Sequence, residues 1–194
     1  MISGIILASG FSKRMKREKL LLPLAGIPLV EHIIRTAQSS HLDEVILIYR
    51  NENIKELGAK YLNKIIFNAH AEEGQSTAVK LGITAADKET DAFMFFVGDQ
   101  PFLSSAMVNI LIDIFTDYPD NIIVPVYNGK RGGPVIFPAK FKDELLALVG
   151  DSGGRSIIEK HKEELKPVEI ENANAGIDVD TREEYEKITG DFKA

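Results

Sequence analysis

The sequence predicts one α/β domain of the Rossmann-like, three-layer type, built on a mainly parallel sheet. Three observations predict it. Short apolar runs alternate with stretches of helical periodicity along the whole chain. Some runs, above all Ala92-Phe93-Met94-Phe95-Phe96-Val97, are apolar without alternation, so both faces of those strands must be covered. No Pro/Gly/Ser-rich linker, internal repeat or low-complexity tract divides the chain, which keeps residues 1–194 in a single domain.

The elements follow in order. Residues 4–7 form a strand that opens into the small-residue segment Ala8-Ser9-Gly10. Leu29, Ile33, Ile34 and Ala37 then recur at the spacing of an amphipathic helix. Strands over 44–49 and 64–67 come next, and Ala78, Leu81, Gly82 and Ala85 mark a second helix. After the covered strand at 92–97, Met107, Ile110, Leu111 and Ile114 share one stripe of a helix over 105–115. Strands are expected at 122–125 and 134–137, a helix after the turn at 150–155, and a terminal helix after Asp180. Residues 189–194 read as a frayed tail. Strand–helix–strand repetition implies right-handed crossovers, and ligands in such sheets sit beyond the carboxyl ends of the strands.

Composition narrows the class. Apolar residues at 44% and charged ones at 27% are ordinary for a globular chain. A net charge of −6 argues against non-specific binding to nucleic acid or an acidic membrane, although bases crowd between Lys13 and Lys19. The absence of cysteine removes disulfides, thiolate nucleophiles and cysteine metal sites together. His32, His41, His70 and His161 show no paired ligand spacing and read as surface or capping residues. No apolar run approaches the ~18 residues of a membrane span, and the N-terminus is apolar first and basic second, the reverse of a secretory signal. A cytoplasmic enzyme or binding protein with no membrane and no nucleic-acid partner is expected.

The strand ends carry the chemistry. A buried strand that breaks into Leu7-Ala8-Ser9-Gly10 leaves a nest of backbone N–H groups that favours anions, and Arg14 and Lys19 add two cations beside it. That combination suits a polyphosphate; an ordinary strand-to-helix turn with solvated bases is the alternative. It is neither a Walker loop nor a dinucleotide fingerprint, because Gly10 stands alone. Val97 leads into Gly98-Asp99-Gln100-Pro101, where Asp99 either binds a cation or belongs to a turn that caps a helix starting near Ser104 or Ser105. Magnesium takes one or two carboxylates plus phosphate oxygens, which suits a site that also holds a triphosphate. After the third strand, Asn68 is followed by Glu73-Gly74-Gln75-Ser76-Thr77; Ser76 and Thr77 can cap the helix or offer hydroxyls to a base or ribose. Arg131-Gly132-Gly133-Pro134 and Gly150-Asp151-Ser152-Gly153-Gly154-Arg155 are glycine-rich turns with a base. Asp178 and Asp180 lie on one face if extended, unless Asp180 caps the last helix.

Together these segments resemble the nucleotidyltransferases that attach a nucleotide to molybdopterin. Leu7 to Met15 followed by Lys19 is similar to that family's signature loop, with Lys16 where a glycine usually follows the Arg-Met pair. The resemblance spans residues 2 to about 188. It implies Arg14, Lys19 and Asp99 as catalytic residues, and Leu7, Ala8, Ser9, Gly10, Asn68, Gly74 and Ser76 as nucleotide-binding ones. It also implies Asp99 and Asp180 as ligands of Mg2+, with Mn2+ as a substitute, and Gly132, Gly133 and Arg155 at the pterin substrate. Ser9 in the first loop and the Gly150 to Arg155 segment point to the cytidylyltransferase branch rather than the guanylyltransferase one, whose first loop typically reads Leu-Ala-Gly-Gly. The implied reaction moves CMP from CTP to molybdopterin in molybdenum cofactor biosynthesis, with transient handover to a molybdenum hydroxylase. A guanine base or a sugar or polyol phosphate acceptor are rivals within the class. A nicotinamide oxidoreductase is disfavoured by the missing glycines near Gly10 and by Tyr49-Arg50, where an acid should end the second strand. A non-catalytic nucleotide-binding module would leave Asp99 and Asp180 without a chemical reason.

Overall fold

The structure is a computed structural model that describes residues 1–12, 15 and 18–191; Lys13, Arg14, Lys16, Arg17 and residues 192–194 lie outside the described set. β1 (Ile2–Ala8) is the hub. It pairs in parallel with β4 (Glu44–Tyr49) on one side and β6 (Ala92–Val97) on the other. β5 (Lys64–Phe67) extends the parallel half beyond β4. Past β6 one strand of the main order runs the opposite way: β9 (Val135–Pro138) is antiparallel to β6 and to β7 (Ile122–Tyr127). β10 (Leu165–Ile170) closes that edge parallel to β7. The sheet order is β10-β7-β9-β6-β1-β4-β5, with the short β8 (Lys130–Arg131) folded onto β7. A hairpin of β2 (Pro23–Leu24) and β3 (Ile27–Pro28) stands apart.

Helices cover both faces, as the unbroken apolar strands require. In β6, Met94 and Phe96 join Ile33, Ile34 and Val108 in one core, while Phe93 faces Val79, Phe137 and Phe141 in the other. The first layer holds α1 (Leu29–Gln38), α2 (Glu52–Gly58) and α4 (Ser105–Asp117); the second holds α3 (Gln75–Ala85), α5 (Lys142–Leu146) and α6 (Arg155–Lys160). Close packing uses small residues where a helix meets the sheet. A Cβ on Gly82 would lie 2.4 Å from Ile5, and one on Gly58 2.3 Å from Leu47. α4 starts at Ser105, and its cap is the Ser104 side chain, which accepts from Met107 N–H at 3.3 Å, rather than the Asp99-Gln100-Pro101 turn.

α7 (Arg182–Asp191) ends the described chain. It runs past Thr189, where a frayed tail is expected from composition; Thr189 Oγ1 donates to Tyr185 O, and Tyr185 in turn donates its hydroxyl to Pro23 O. Among the described residues no helix is long and apolar enough to cross a membrane.

Candidate active site

The carboxyl ends of β1 and β6 are adjacent, so the loop after Ala8 and the turn after Val97 open on one edge. A third segment reaches the same edge from far along the chain. Val179 is fully buried against Leu24 and Leu29, and its N–H donates to Asp99 O at 3.0 Å. With Val179 turned inward, its two neighbours turn toward the site. Thr181 and Glu184 form a capping box for α7: Thr181 Oγ1 accepts from Glu184 N–H, and the Glu184 carboxylate accepts from the N–H groups of Asp180 and Thr181. Thr181 is therefore the cap, and the Asp180 carboxylate turns to Lys19.

Lys19 ties the three segments together. Its Nζ lies 2.5 Å from Asp99 Oδ2 and 2.8 Å from Asp180 Oδ1. Burial alone would lower the pKa of the ammonium, but the two carboxylates outweigh it and hold Lys19 above the ordinary lysine value. Asp178 behaves oppositely. Loss of hydration around its carboxyl, then the charge of Asp99, push it up to about 6. Two carboxylates converging on one cationic point are an oxygen donor set that fits a small hard divalent ion together with phosphate oxygens.

Two cavities meet at this centre. The larger, about 750 Å³, runs under the strand edge between Phe95, Val124, Val135 and Phe137, and is rimmed by Lys130, Arg131 and Arg155. The smaller, about 360 Å³, lies over the loop after β1, between Ser9, Gly10, Phe11 and Ser12 on one side and Ala71, Glu72 and Gly74 on the other. Leu7, Gln75, Val97, Asp99, Asp151 and Asp180 line both.

The residues singled out from sequence separate into three groups. Asp99 and Asp180 stand at the junction, and Lys19 faces the smaller cavity with Leu7, Ser9, Gly10 and Gly74. Gly132, Gly133 and Arg155 line the larger one. Ala8, Asn68 and Ser76 line neither, being 1%, 1% and 2% exposed. The Asn68 amide donates to Ser9 Oγ at 2.9 Å and to Thr77 Oγ1 at 3.0 Å, so it shapes the wall from behind. Ser76 is no cap either: the N-cap position of α3 is Gly74, and Ser76 offers its N–H to Gly150 O at 3.0 Å. Arg14 falls outside the described residues.

Three further residues at the site, Gln75, Asp151 and Gln100, lie inside the segments singled out from sequence, and a fourth, Tyr127, lies in none of them. Gln75 and Asp151 reach both cavities because α3 and the turn before α6 meet at Gly74, where a Cβ would come within 2.3 Å of the Gly150 backbone and φ is +108°. Gln100 is buried below Gly133, and its Oε1 has no hydrogen-bond partner among the described residues. Tyr127 donates to Gly133 O at 2.7 Å, and burial followed by the nearby Asp178 charge raises its pKa far above the ordinary phenol value. A Gly-Asp-Gln-Pro string can suggest the turn at Gln100, but nothing local announces Tyr127.

Comparison with known proteins gives the chain's family. Residues 4–165 match the family described as the MobA-like NTP transferase domain. Among characterised proteins, the chain is 30% identical to the purine catabolism protein PucB of Bacillus subtilis, over 95% of this chain and 94% of that protein. It is 28% identical to the molybdenum cofactor cytidylyltransferase of Escherichia coli, over 95% and 93% of the two chains. A probable molybdenum cofactor guanylyltransferase of Bacillus anthracis is 27% identical over 94% and 93%. Among solved structures, Rv0371c from Mycobacterium tuberculosis in complex with manganese superimposes with a TM-score of 0.82 at 21% identity, covering 97% of this chain and 98% of that one.

Proposed function

The chain belongs to the MobA-like NTP transferase family, and on that premise we propose that it transfers CMP from CTP to molybdopterin and releases pyrophosphate. The observation that carries this reading is the junction of the two cavities at Lys19, Asp99 and Asp180. Nucleotidyl transfer needs one space for a triphosphate, a second for an acceptor, and charge control where they touch. An oxygen of the acceptor phosphate attacks the α-phosphorus; that bond forms as the bond to the β-phosphate oxygen breaks, and pyrophosphate carries away the electron pair. The acceptor phosphate is already ionised at neutral pH, so no general base is required. Positioning and charge neutralisation supply the rate.

In this reading the loop after β1 holds the triphosphate in the smaller cavity, with Arg14 and Lys19 neutralising the phosphates and the leaving group. Asp99 and Asp180 would hold magnesium, with manganese as a substitute. Such an ion, when bound, neutralises phosphate charge and polarises the α-phosphoryl group. Lys19 sits at the point that both carboxylates share, so nucleotide and metal binding require its ammonium to turn toward the phosphates. Gly132, Gly133 and Arg155 line the space left for the pterin body.

Cytidine over guanosine is supported by the modest smaller cavity, by the buried Ser9–Asn68 pair behind it, and by full-length similarity to the Escherichia coli cytidylyltransferase. Guanylyl transfer is the second reading, favoured by the Bacillus anthracis relative. Pyrophosphate release in the presence of molybdopterin and magnesium separates them. Release from CTP well above GTP is expected, since a buried polar partner left unpaired discriminates by on the order of 10⁴-fold. Equal release would end the cytidylyl assignment and leave the transferase class standing.

A further inference from the structure

Arg50 stands at the end of β4, behind the loop that faces the smaller cavity and outside both cavities. Its guanidinium Nη2 lies 2.9 Å from Glu18 Oε2 and 3.4 Å from Gly10 O, so one side chain grips the loop near both of its ends. Phe11 lies over the same guanidinium, with its ring centroid 4.3 Å from Cζ. The contact continues inward. Ser12 Oγ donates to the other carboxylate oxygen, Glu18 Oε1, at 3.3 Å, and accepts from the backbone N–H of Lys19 at 3.2 Å. Ser12 holds a positive φ of 49°, a conformation that a non-glycine residue keeps only where its surroundings fix it.

From this relay we infer that Arg50 and Glu18 are positioning residues: a clasp that fixes Lys19 for nucleotide before nucleotide arrives. The inference rests on the reading of the smaller cavity as the triphosphate site. Glu18 is well placed for the task, since its side chain is only 13% exposed and each of its oxygens has a partner. A carboxylate so enclosed, gripped by a guanidinium, is a stronger anchor than a solvent-exposed pair. Arg50 touches no substrate space. Its effect on Lys19 passes through Glu18 and Ser12, and its contacts with Gly10 O and Phe11 brace the wall of the smaller cavity, so removing it weakens nucleotide affinity by loosening that wall.

The test uses the full chain, with variants Arg50→Ala, Glu18→Gln and their double. Amide hydrogen exchange at Lys19, measured without any nucleotide, reads the clasp directly. Exchange about tenfold faster in each single variant is expected, with no further gain in the double, because the two residues form one chain of contacts. Nucleotide binding is then titrated with CTP and with GTP in the presence of magnesium. Each variant should bind about tenfold more weakly than the unaltered protein. Arg50→Lys should recover part of the loss, since one ammonium can meet Glu18 but cannot also span to Gly10 and stack on Phe11. Unchanged exchange at Lys19 in both single variants would overturn the clasp. So would faster exchange with unaltered nucleotide affinity, or strictly additive losses in the double. If the unaltered protein bound no nucleotide, the triphosphate reading of the cavity would fall, while the exchange result would still decide the clasp.

Discussion

The two cavities share Asp99 and Asp180 but are walled by opposite means. Behind the smaller one the wall is held by side-chain hydrogen bonds: Asn68 to Ser9 and Thr77, Arg50 to Glu18, Ser12 to Glu18 and to the Lys19 backbone. Around the larger one, apolar side chains such as Phe95, Val124 and Val135 are joined by stretches of glycine backbone pressed onto rings and amides. A Cβ would lie 2.8 Å from Tyr127 at Gly132, 2.8 Å from Gln75 at Gly153 and 2.4 Å from Phe137 at Gly154. Hydrogen-bonded walls hold polar groups in fixed directions, which suits a triphosphate and a base. Glycine walls bring the chain close to whatever fills the space, which suits a broad flat body. Where the two meet, the structure concentrates charge.

The largest effect is expected at that junction. Asp99→Asn keeps the shape and removes the charge, so turnover should fall by about three orders of magnitude or more, with partial recovery in raised magnesium or in manganese. Lys19→Ala should lose activity too, but no excess of metal should restore it, because its contribution is to the phosphates. It should also lower stability by about 2 kcal/mol, since Asp99 and Asp180 would face each other without the ammonium between them. Kinetics of both variants and the double, with thermal melts, check this; strictly additive losses would mean that the two residues do not serve one transition state.

The contrast between the walls gives the next effect. At Gly74, where the walls touch, Gly74→Ala combines a φ of +108° with a clash against the Gly150 backbone and should cost about 3 kcal/mol or more. Gly154→Ala drives a methyl group into the ring of buried Phe137 and should cost about 1–3 kcal/mol, with the weakened binding confined to the acceptor. Asn68→Ala should cost a similar amount by leaving Ser9 without its donor, with the weakened binding confined to the nucleotide. Denaturant melts and separate Michaelis constants for the two substrates would show whether the assignment holds; crossed effects would break it.

These walls also show what a sequence can and cannot announce. The strand at 92–97 was legible residue for residue, because a fully covered strand has no polar interruption. β10 was not: its Leu165-Lys166-Pro167 start is polar and carries a proline, tolerable only because this strand is the sheet's edge. The reversal of β9 depends on pairing partners, which no local pattern encodes. At the site, glycines and acids after strand ends were visible as motifs, whereas the convergence of Lys19 with Asp180 joins residues 161 positions apart. Asn68 and Ser76, expected at the nucleotide from the resemblance, are buried in the fold behind the cavity wall. Arg50, notable in sequence only for not being an acid, holds the loop.

The smallest effect concerns acid. In the metal-free protein the Asp178 carboxyl is raised to about 6 from an ordinary 3.8. The folded state therefore holds that proton more tightly than the unfolded chain, so this group lowers stability above pH 6, and the penalty fades as pH falls toward 3.8. Asp178→Asn should raise the melting temperature at pH 7 by a small margin, and the gain should vanish near pH 4. A gain that persisted there would place the cause elsewhere.

In the proposed reading the two cavities hold two substrates, and a nucleotidyl group passes between them where the cavities meet. The most direct test of that reading is the mass of the product formed when the protein is incubated with molybdopterin, magnesium and each nucleoside triphosphate in turn. The expected result is one new species, molybdopterin joined to CMP through a pyrophosphate linkage, from CTP alone. Molybdopterin recovered unchanged with every nucleotide would contradict the account.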